Sequence, residues 1–150
     1  MFPSFHPAGL PNNPAERPLI DEHGRTVNEQ WVMAEPLVWP LMNDDYTLLD
    51  DQWLEVPIGA STDLASVPNV LQWLPGFSKN GKSRRPAICH DSMYRTGKLR
   101  PLDPNSPVVD REFADRFLME AMILEGASRI VARMFWLGVR AMGWRYFRKE

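Results

Sequence analysis

The sequence predicts an α+β domain, a small antiparallel sheet packed on a bundle of three to four helices, with an extended proline-rich arm at the N-terminus. Three observations support this fold class: prolines crowd the first 20 residues, short strand-forming runs follow, and the remainder has helical patterns. Strands that precede helices along a chain are typical of α+β folds. A chain of 150 residues also has the usual size of a single domain.

Residues 1–30 form the predicted arm, and residues 31–150 the α+β domain. The prolines of the arm are Pro3, Pro7, Pro11, Pro14 and Pro18. Each one fixes φ and lacks an N–H donor, which excludes a helix or an interior strand. Two alternatives stay open: the arm is a loose tail, or it docks on its own domain or on a neighbouring subunit.

Runs rich in strand formers are separated by turn residues and occupy residues 31–39, 46–49 and 53–58. Pro36 marks the first of them as an edge strand or a bulged strand. Helical patterns with capping and breaking residues then cover residues 66–74, 83–94, 108–125 and 127–146.

The charge balance is close to neutral, with 17 basic and 19 acidic residues and a net charge of −2. This balance argues against nucleic acid as a partner. The single cysteine, Cys89, excludes an internal disulfide and suits a reducing compartment. No secretory leader pattern and no run of about 18 apolar residues is visible, so we expect a protein without a transmembrane segment that works inside a cell.

His90-Asp91-Ser92-Met93-Tyr94 is the strongest chemical signature of the chain. On a helix, Tyr94 lies one turn above His90 on the same face. Asp91 is rotated from His90 by about 100°, so both side chains can border one cleft without bonding each other. This arrangement suits a division of labour in which His90 handles a proton and Asp91 holds a cation.

Asp115 is the predicted partner of His90. On the next helix it lies in a largely apolar sector, with Leu118, Met119 and Met122. A carboxylate there needs a partner. An Asp–His hydrogen bond would fix the tautomer of the histidine and leave its other ring nitrogen free as a base. The alternatives are an ion pair with Arg111, four residues earlier, and exposure to solvent.

Three blocks in order resemble a family of small, mostly uncharacterised phage and prophage proteins. They are Val56-Pro57-x-Gly59 with Thr62-Asp63-x-Ala65-Ser66-Val67-Pro68, then His90-Asp91-x-x-Tyr94-Arg95, then Ala114-Asp115. The resemblance covers roughly residues 32–143. It implies a phage-encoded protein that is located in the host cytoplasm or in the assembled virion. One alternative that follows is a non-enzymatic virion or assembly component.

The segment from Pro86 to Arg95, together with Asp115, also resembles the helix pair of the secreted and prokaryotic phospholipases A-two. The resemblance implies that His90 is the general base, that Asp91 binds calcium, and that Tyr94 and Asp115 support the histidine. It thus implies a calcium-assisted lipid or ester hydrolase. The sequence departs from that family by lacking its glycine-rich calcium loop and its disulfides.

Asp63 is the only candidate to replace the missing calcium ligands, because a carboxylate beside Asp91 would add a hard oxygen donor. The alternative is that Thr62 and Asp63 cap the following helix or bind nearby arginines. A transition-metal site built from Asp63, His90, Asp91 and Asp115 is a further alternative. Such a site needs more histidines than His6 and His23 can supply. Cys89 and His90 point apart on a helix, so we expect Cys89 to be structural.

The last helix carries Arg129, Arg133 and Arg140 within about 40° of one another on the helical wheel, flanked by Trp136 and Trp144. Arginine and tryptophan are enriched in the hot spots of binding interfaces, and arginine also binds anionic groups. We therefore expect this stripe to contact other phage proteins or an anionic lipid surface. The alternative is a solvated helix face.

Overall fold

The computed structural model describes residues 4–9, 11–62, 84–145 and 147. Within these residues the strands are β1 (His6–Pro7), β2 (Glu16–Ile20), β3 (Thr26–Met33), β4 (Leu37–Met42), β5 (Leu48–Val56) and β6 (Ser61–Thr62). The helices are α1 (Arg84–Thr96), α2 (Arg111–Leu124) and α3 (Arg129–Met142), followed by a 3-10 turn, Gly143–Arg145. The predicted α+β fold class is confirmed. The predicted helix over residues 66–74 lies outside the described residues.

The strands form two antiparallel three-stranded sheets, with the orders β1-β4-β5 and β2-β3-β6. In the first sheet Leu37 lies opposite Val56 and Trp39 opposite Leu54. These four side chains are all buried. The single strand predicted over residues 31–39 is wrong: β3 ends at Met33, β4 begins at Leu37, and Pro36 lies in the connection between them.

The described part of the arm packs on its own domain. Strand β1 pairs with β4, and β2 pairs with β3, each at the edge of its sheet. The guanidinium of Arg116 on α2 donates to the Phe5 carbonyl oxygen over 2.7 Å, and His6 Nδ1 lies 3.0 Å from a carboxylate oxygen of Glu120. Strand β3 runs through residue 30, so the arm continues directly into the sheet.

The helices start and end at identifiable caps. The Asp110 side chain accepts from the Phe113 N–H at the start of α2, and the Ser128 side chain does the same for the Val131 N–H in α3. Gly97, with φ of +66°, follows the end of α1. The final helix is shorter than the predicted 127–146, because the chain tightens into the 3-10 turn after Met142.

The hydrophobic core has two parts. The larger part joins β4 and β5 to α1 and α2, with Trp39 packed edge-on against Phe117. The smaller part lies between α2 and α3 and consists of Leu118, Met122, Ala132, Phe135 and Val139. The packing of three helices in this way brings the inner faces of α1, α2 and α3 together. No helix in the described ranges has the length and apolarity to span a membrane.

Candidate active site

The His90 and Asp115 side chains meet where α1 packs against α2. His90 Nε2 lies 2.8 Å from Asp115 Oδ1, and both residues are buried, with Asp115 fully inaccessible. The predicted hydrogen bond is therefore present. It links residues 25 positions apart in sequence, so it depends on the packing of the two helices.

Asp115 accepts two further hydrogen bonds. The Tyr94 hydroxyl donates to Asp115 Oδ1 over 2.5 Å. Tyr94 lies one turn after His90 on the same face of α1, so both side chains reach Asp115. Arg140 Nη1, from α3, lies 3.2 Å from Asp115 Oδ2. The alternative partner, Arg111, donates to the Arg140 carbonyl oxygen over 3.0 Å. The buried carboxylate thus receives a hydrogen bond from a histidine, a phenol and a guanidinium on two neighbouring helices.

This geometry determines the tautomer of His90. An ionised carboxylate only accepts hydrogen bonds, so Nε2 must carry the proton that points at Asp115. In a neutral imidazole the second nitrogen, Nδ1, then holds a lone pair. Among the described residues Nδ1 has no hydrogen-bond partner. The positive guanidinium of Arg140 already offsets the charge of Asp115. A neutral His90 in this tautomer has its Nδ1 lone pair available as a proton acceptor.

Tyr94 acts as a positioning group. Burial and its hydrogen bond to Asp115 raise the pKa of the phenol well above its usual range, so the hydroxyl stays a donor. Its ring lies 4.0 Å from the His90 ring, centroid to centroid, and Phe147 packs edge-on against its other side. A Cβ on Gly143 would lie 2.3 Å from the Tyr94 oxygen. The turn after α3 can therefore close over the hydroxyl only because residue 143 is glycine.

Asp91 has a different environment from Asp115. It is buried, and its Oδ2 lies 3.1 Å from Arg95 Nη2, one turn later on α1. Arg95 also donates to the Ser61 carbonyl oxygen over 2.6 Å. Asp63 lies outside the described residues. Among the residues that the structure does describe, no group of three histidine, cysteine or acidic side chains is arranged to hold a metal ion. These residues alone do not fit calcium, so we derive no step through an ion.

Cys89 is fully buried in the larger core. Burial, followed by the charge of Glu125, raises the pKa of its thiol far above the usual range. A protonated and inaccessible thiol does not attack a substrate. Cys89 is thus excluded as a nucleophile.

The residues of the predicted partner stripe separate into two groups. Arg129 and Arg133 are exposed, and Trp136 is half-buried. Arg140 departs from the expectation, because its guanidinium turns inward to Asp115. Sequence reasoning missed this role of Arg140 and the contact of Gly143 with Tyr94. The available signal was an arginine and a glycine three residues apart at the end of the last predicted helix.

Fold and site together define a small α+β protein whose helices enclose a His–Asp–Tyr network. Residues 39–139, more than half of the chain, match the family described as "Protein of unknown function (DUF1353)", and the chain belongs to this family. The matched range contains His90, Tyr94 and Asp115, whereas Arg140 and Gly143 follow it directly. No curated protein and no solved structure matches the chain.

Proposed function

We propose that the protein is a phage-encoded hydrolase of carboxylic esters, phospholipids included, in which His90 activates water. The observation that carries the proposal is the hydrogen bond from His90 Nε2 to the buried Asp115, which leaves Nδ1 as a base. The His90-Asp91-x-x-Tyr94 helix and its similarity to the phospholipases A-two support esters of glycerol lipids as the substrate class.

The chain's own residues account for the proton steps. His90 Nδ1 takes a proton from water while the water oxygen adds to the ester carbonyl carbon. The imidazolium that forms is stabilised by Asp115. When the tetrahedral intermediate collapses, the C–O bond to the alcohol breaks, and the same proton passes from Nδ1 to the leaving oxygen. The products are a carboxylic acid and an alcohol, and His90 returns to its starting tautomer.

His90→Asn tests the proposal, with His6→Asn as the matched control. His6 is also largely buried and also contacts a carboxylate on α2, but it lies outside the network. We expect the wild type and His6→Asn to hydrolyse short-chain esters and phospholipid vesicles. His90→Asn should lose at least about 100-fold in kcat, the lower end of what general base catalysis contributes.

Released fatty acid or alcohol is the readout, at a temperature where circular dichroism shows each variant folded. Hydrolysis by the wild type that both variants retain equally would exclude His90 as the base. Failure of the wild type to hydrolyse esters of any chain length tried would exclude the reaction class.

A non-enzymatic virion or assembly component is the second candidate, and the burial of the network favours it. His90 is only 4% exposed and Asp115 is fully buried, as in a hydrogen-bond cluster that stabilises a helix packing. In that case we expect His90→Asn to lower the melting temperature and neither the wild type nor any variant to hydrolyse esters. Incorporation of the protein into particles should then depend only on whether the protein is folded.

A further inference from the structure

The outer face of α3 and its following turn is apolar and exposed. Ile130, Met134, Leu137 and Trp144 are 74, 40, 59 and 63% exposed, respectively. The spacing of Ile130, Met134 and Leu137 places these three on one side of α3, and Trp144 lies in the 3-10 turn that follows. We call these four residues the outer strip. An exposed tryptophan among three exposed aliphatic side chains is a contiguous apolar surface, unlike scattered single residues.

The outer strip is not needed for folding contacts within the described chain. The opposite face of α3 carries Ala132, Phe135 and Val139, which are buried against α2. Arg140 reaches Asp115 and Gly143 faces Tyr94, so the end of α3 also contacts the His90 network. Helix α3 therefore has two apolar faces, and among the described residues only the inner one packs against another helix.

Positive charge flanks the outer strip. Residues 127–149 contain five arginines and one lysine and neither aspartate nor glutamate, although the whole chain has a net charge of −2. Arg129, Arg133 and Arg145 are all exposed. The Arg145 guanidinium is also 5.3 Å from the centre of the Trp144 ring. The excess of acid is thus confined to the rest of the chain.

We propose that the outer strip docks the protein on an anionic lipid bilayer, with α3 lying parallel to the membrane surface. An apolar helix face with basic flanks and no acidic residue is the pattern of helices that lie in the interface. Tryptophan prefers this depth, and arginines attract anionic headgroups. A second copy of the chain fits less well, because a symmetric contact would bring the arginines of both copies together.

This docking is independent of the hydrolase proposal, since it uses the opposite side of α3 from the His90 network. Binding and hydrolysis can therefore be measured, and can fail, separately.

The test uses co-sedimentation of the full chain with vesicles of phosphatidylcholine, alone or mixed with phosphatidylserine. We expect binding to the mixed vesicles only, with weakening at high salt. Ile130→Ser with Leu137→Ser should reduce binding more than tenfold. Ile58→Ser with Leu102→Ser is the matched control, because these residues are also exposed but lie far from α3 in sequence.

A charge-reversal pair tests the flanks. Arg129→Glu with Arg133→Glu should reduce binding more than tenfold, whereas Arg17→Glu with Arg25→Glu, at exposed arginines of the N-terminal region, should not. His90→Asn should bind vesicles like the wild type. Equal binding to both vesicle types, or wild-type binding by the Ile130/Leu137 variant, would overturn the proposal. A wild-type dimer that this variant dissociates would assign the strip to a second copy instead.

Discussion

Asp115 and Asp91 are two buried carboxylates on adjacent helices, and they differ in where their partners come from. Asp115 accepts from residues on α1 and α3, a histidine, a tyrosine and an arginine. Asp91 pairs with Arg95 on its own helix. The first arrangement exists only when three helices pack together, whereas the Asp91–Arg95 pair lies within one turn of α1.

The hydrolase proposal uses these carboxylates in two halves, a proton-handling half at Asp115 and a cation-binding half at Asp91, and the described structure builds the two halves differently. The proton-handling half is assembled from tertiary contacts, since Asp115 fixes the His90 tautomer and Arg140 offsets its charge. The cation-binding half has one carboxylate, whose charge is already met by a guanidinium. Both carboxylates are thus buried, and they differ in their donors. Asp115 accepts from His90, Tyr94 and Arg140, whereas Asp91 forms an ion pair with Arg95.

Asp115→Asn should have the largest effect, because it alters the tautomer and the charge together. An amide that points its NH₂ at Nε2 favours the proton on Nδ1 and so removes the base. We expect kcat to fall by about 10³-fold or more, and the free energy of unfolding by about 2–4 kcal/mol through the loss of the partner of Arg140. Steady-state hydrolysis and urea unfolding measure the two effects.

Tyr94→Phe is the natural comparison for Asp115→Asn, since it removes one donor to Asp115 but leaves the His90 bond. Its loss of kcat should be smaller, within about tenfold. If Asp115→Asn retained kcat while Tyr94→Phe lost it, the assignment of Asp115 as the group that orients His90 would be wrong.

Gly143→Ala should have an effect of intermediate size, mainly on the free energy of unfolding. The new Cβ would lie 2.3 Å from the Tyr94 oxygen, so the 3-10 turn or the ring must shift. We expect a loss of about 1–3 kcal/mol in the free energy of unfolding, the usual cost of overpacking. Most of it should disappear when Tyr94 is already Phe, since the closest atom is then absent. A double-mutant cycle by urea denaturation measures this coupling, and additive losses would show that the clash is relieved elsewhere.

The sequence was sufficient to predict two parts of the site: side chains that lie on the same helix, and a charged side chain in an apolar sector that needs a partner. Helical spacing placed Tyr94 above His90, and the apolar sector around Asp115 demanded a partner. Arg140 was assigned to a partner surface, because wheel geometry gives the direction of a side chain on its own helix but not the position of a neighbouring one. Gly143 was overlooked for the same reason, since its contact joins α1 to the end of α3.

The sheet shows a similar limit. The predicted strand runs overlap β4 and β5 only in part, because residues 46–49 and 53–58 were predicted as two strands and β5 is continuous over Leu48–Val56. Strands β1 and β2 come from a stretch whose prolines exclude only helices and interior strands. Edge strands tolerate proline, because one side of an edge strand needs no N–H donor. Pairing of the arm with β3 and β4 depends on tertiary contacts such as Arg116 with Phe5, which no local pattern encodes.

Asp91→Asn with calcium titration has the smallest expected effect and tests the second carboxylate directly. Arg95 is 46% exposed on its side chain, so the pair lies near solvent and contributes at most about 1 kcal/mol. Because Arg95 already offsets Asp91, we expect calcium to leave the melting temperature of the wild type and of Asp91→Asn unchanged. Asp63→Asn should behave in the same way. A calcium-dependent rise in the wild type that Asp91→Asn abolishes, about 2.7 kcal/mol at a hundredfold excess over Kd, would show that an ion displaces Arg95. Both carboxylates would then belong to one catalytic site, with Asp115 serving the proton and Asp91 the cation.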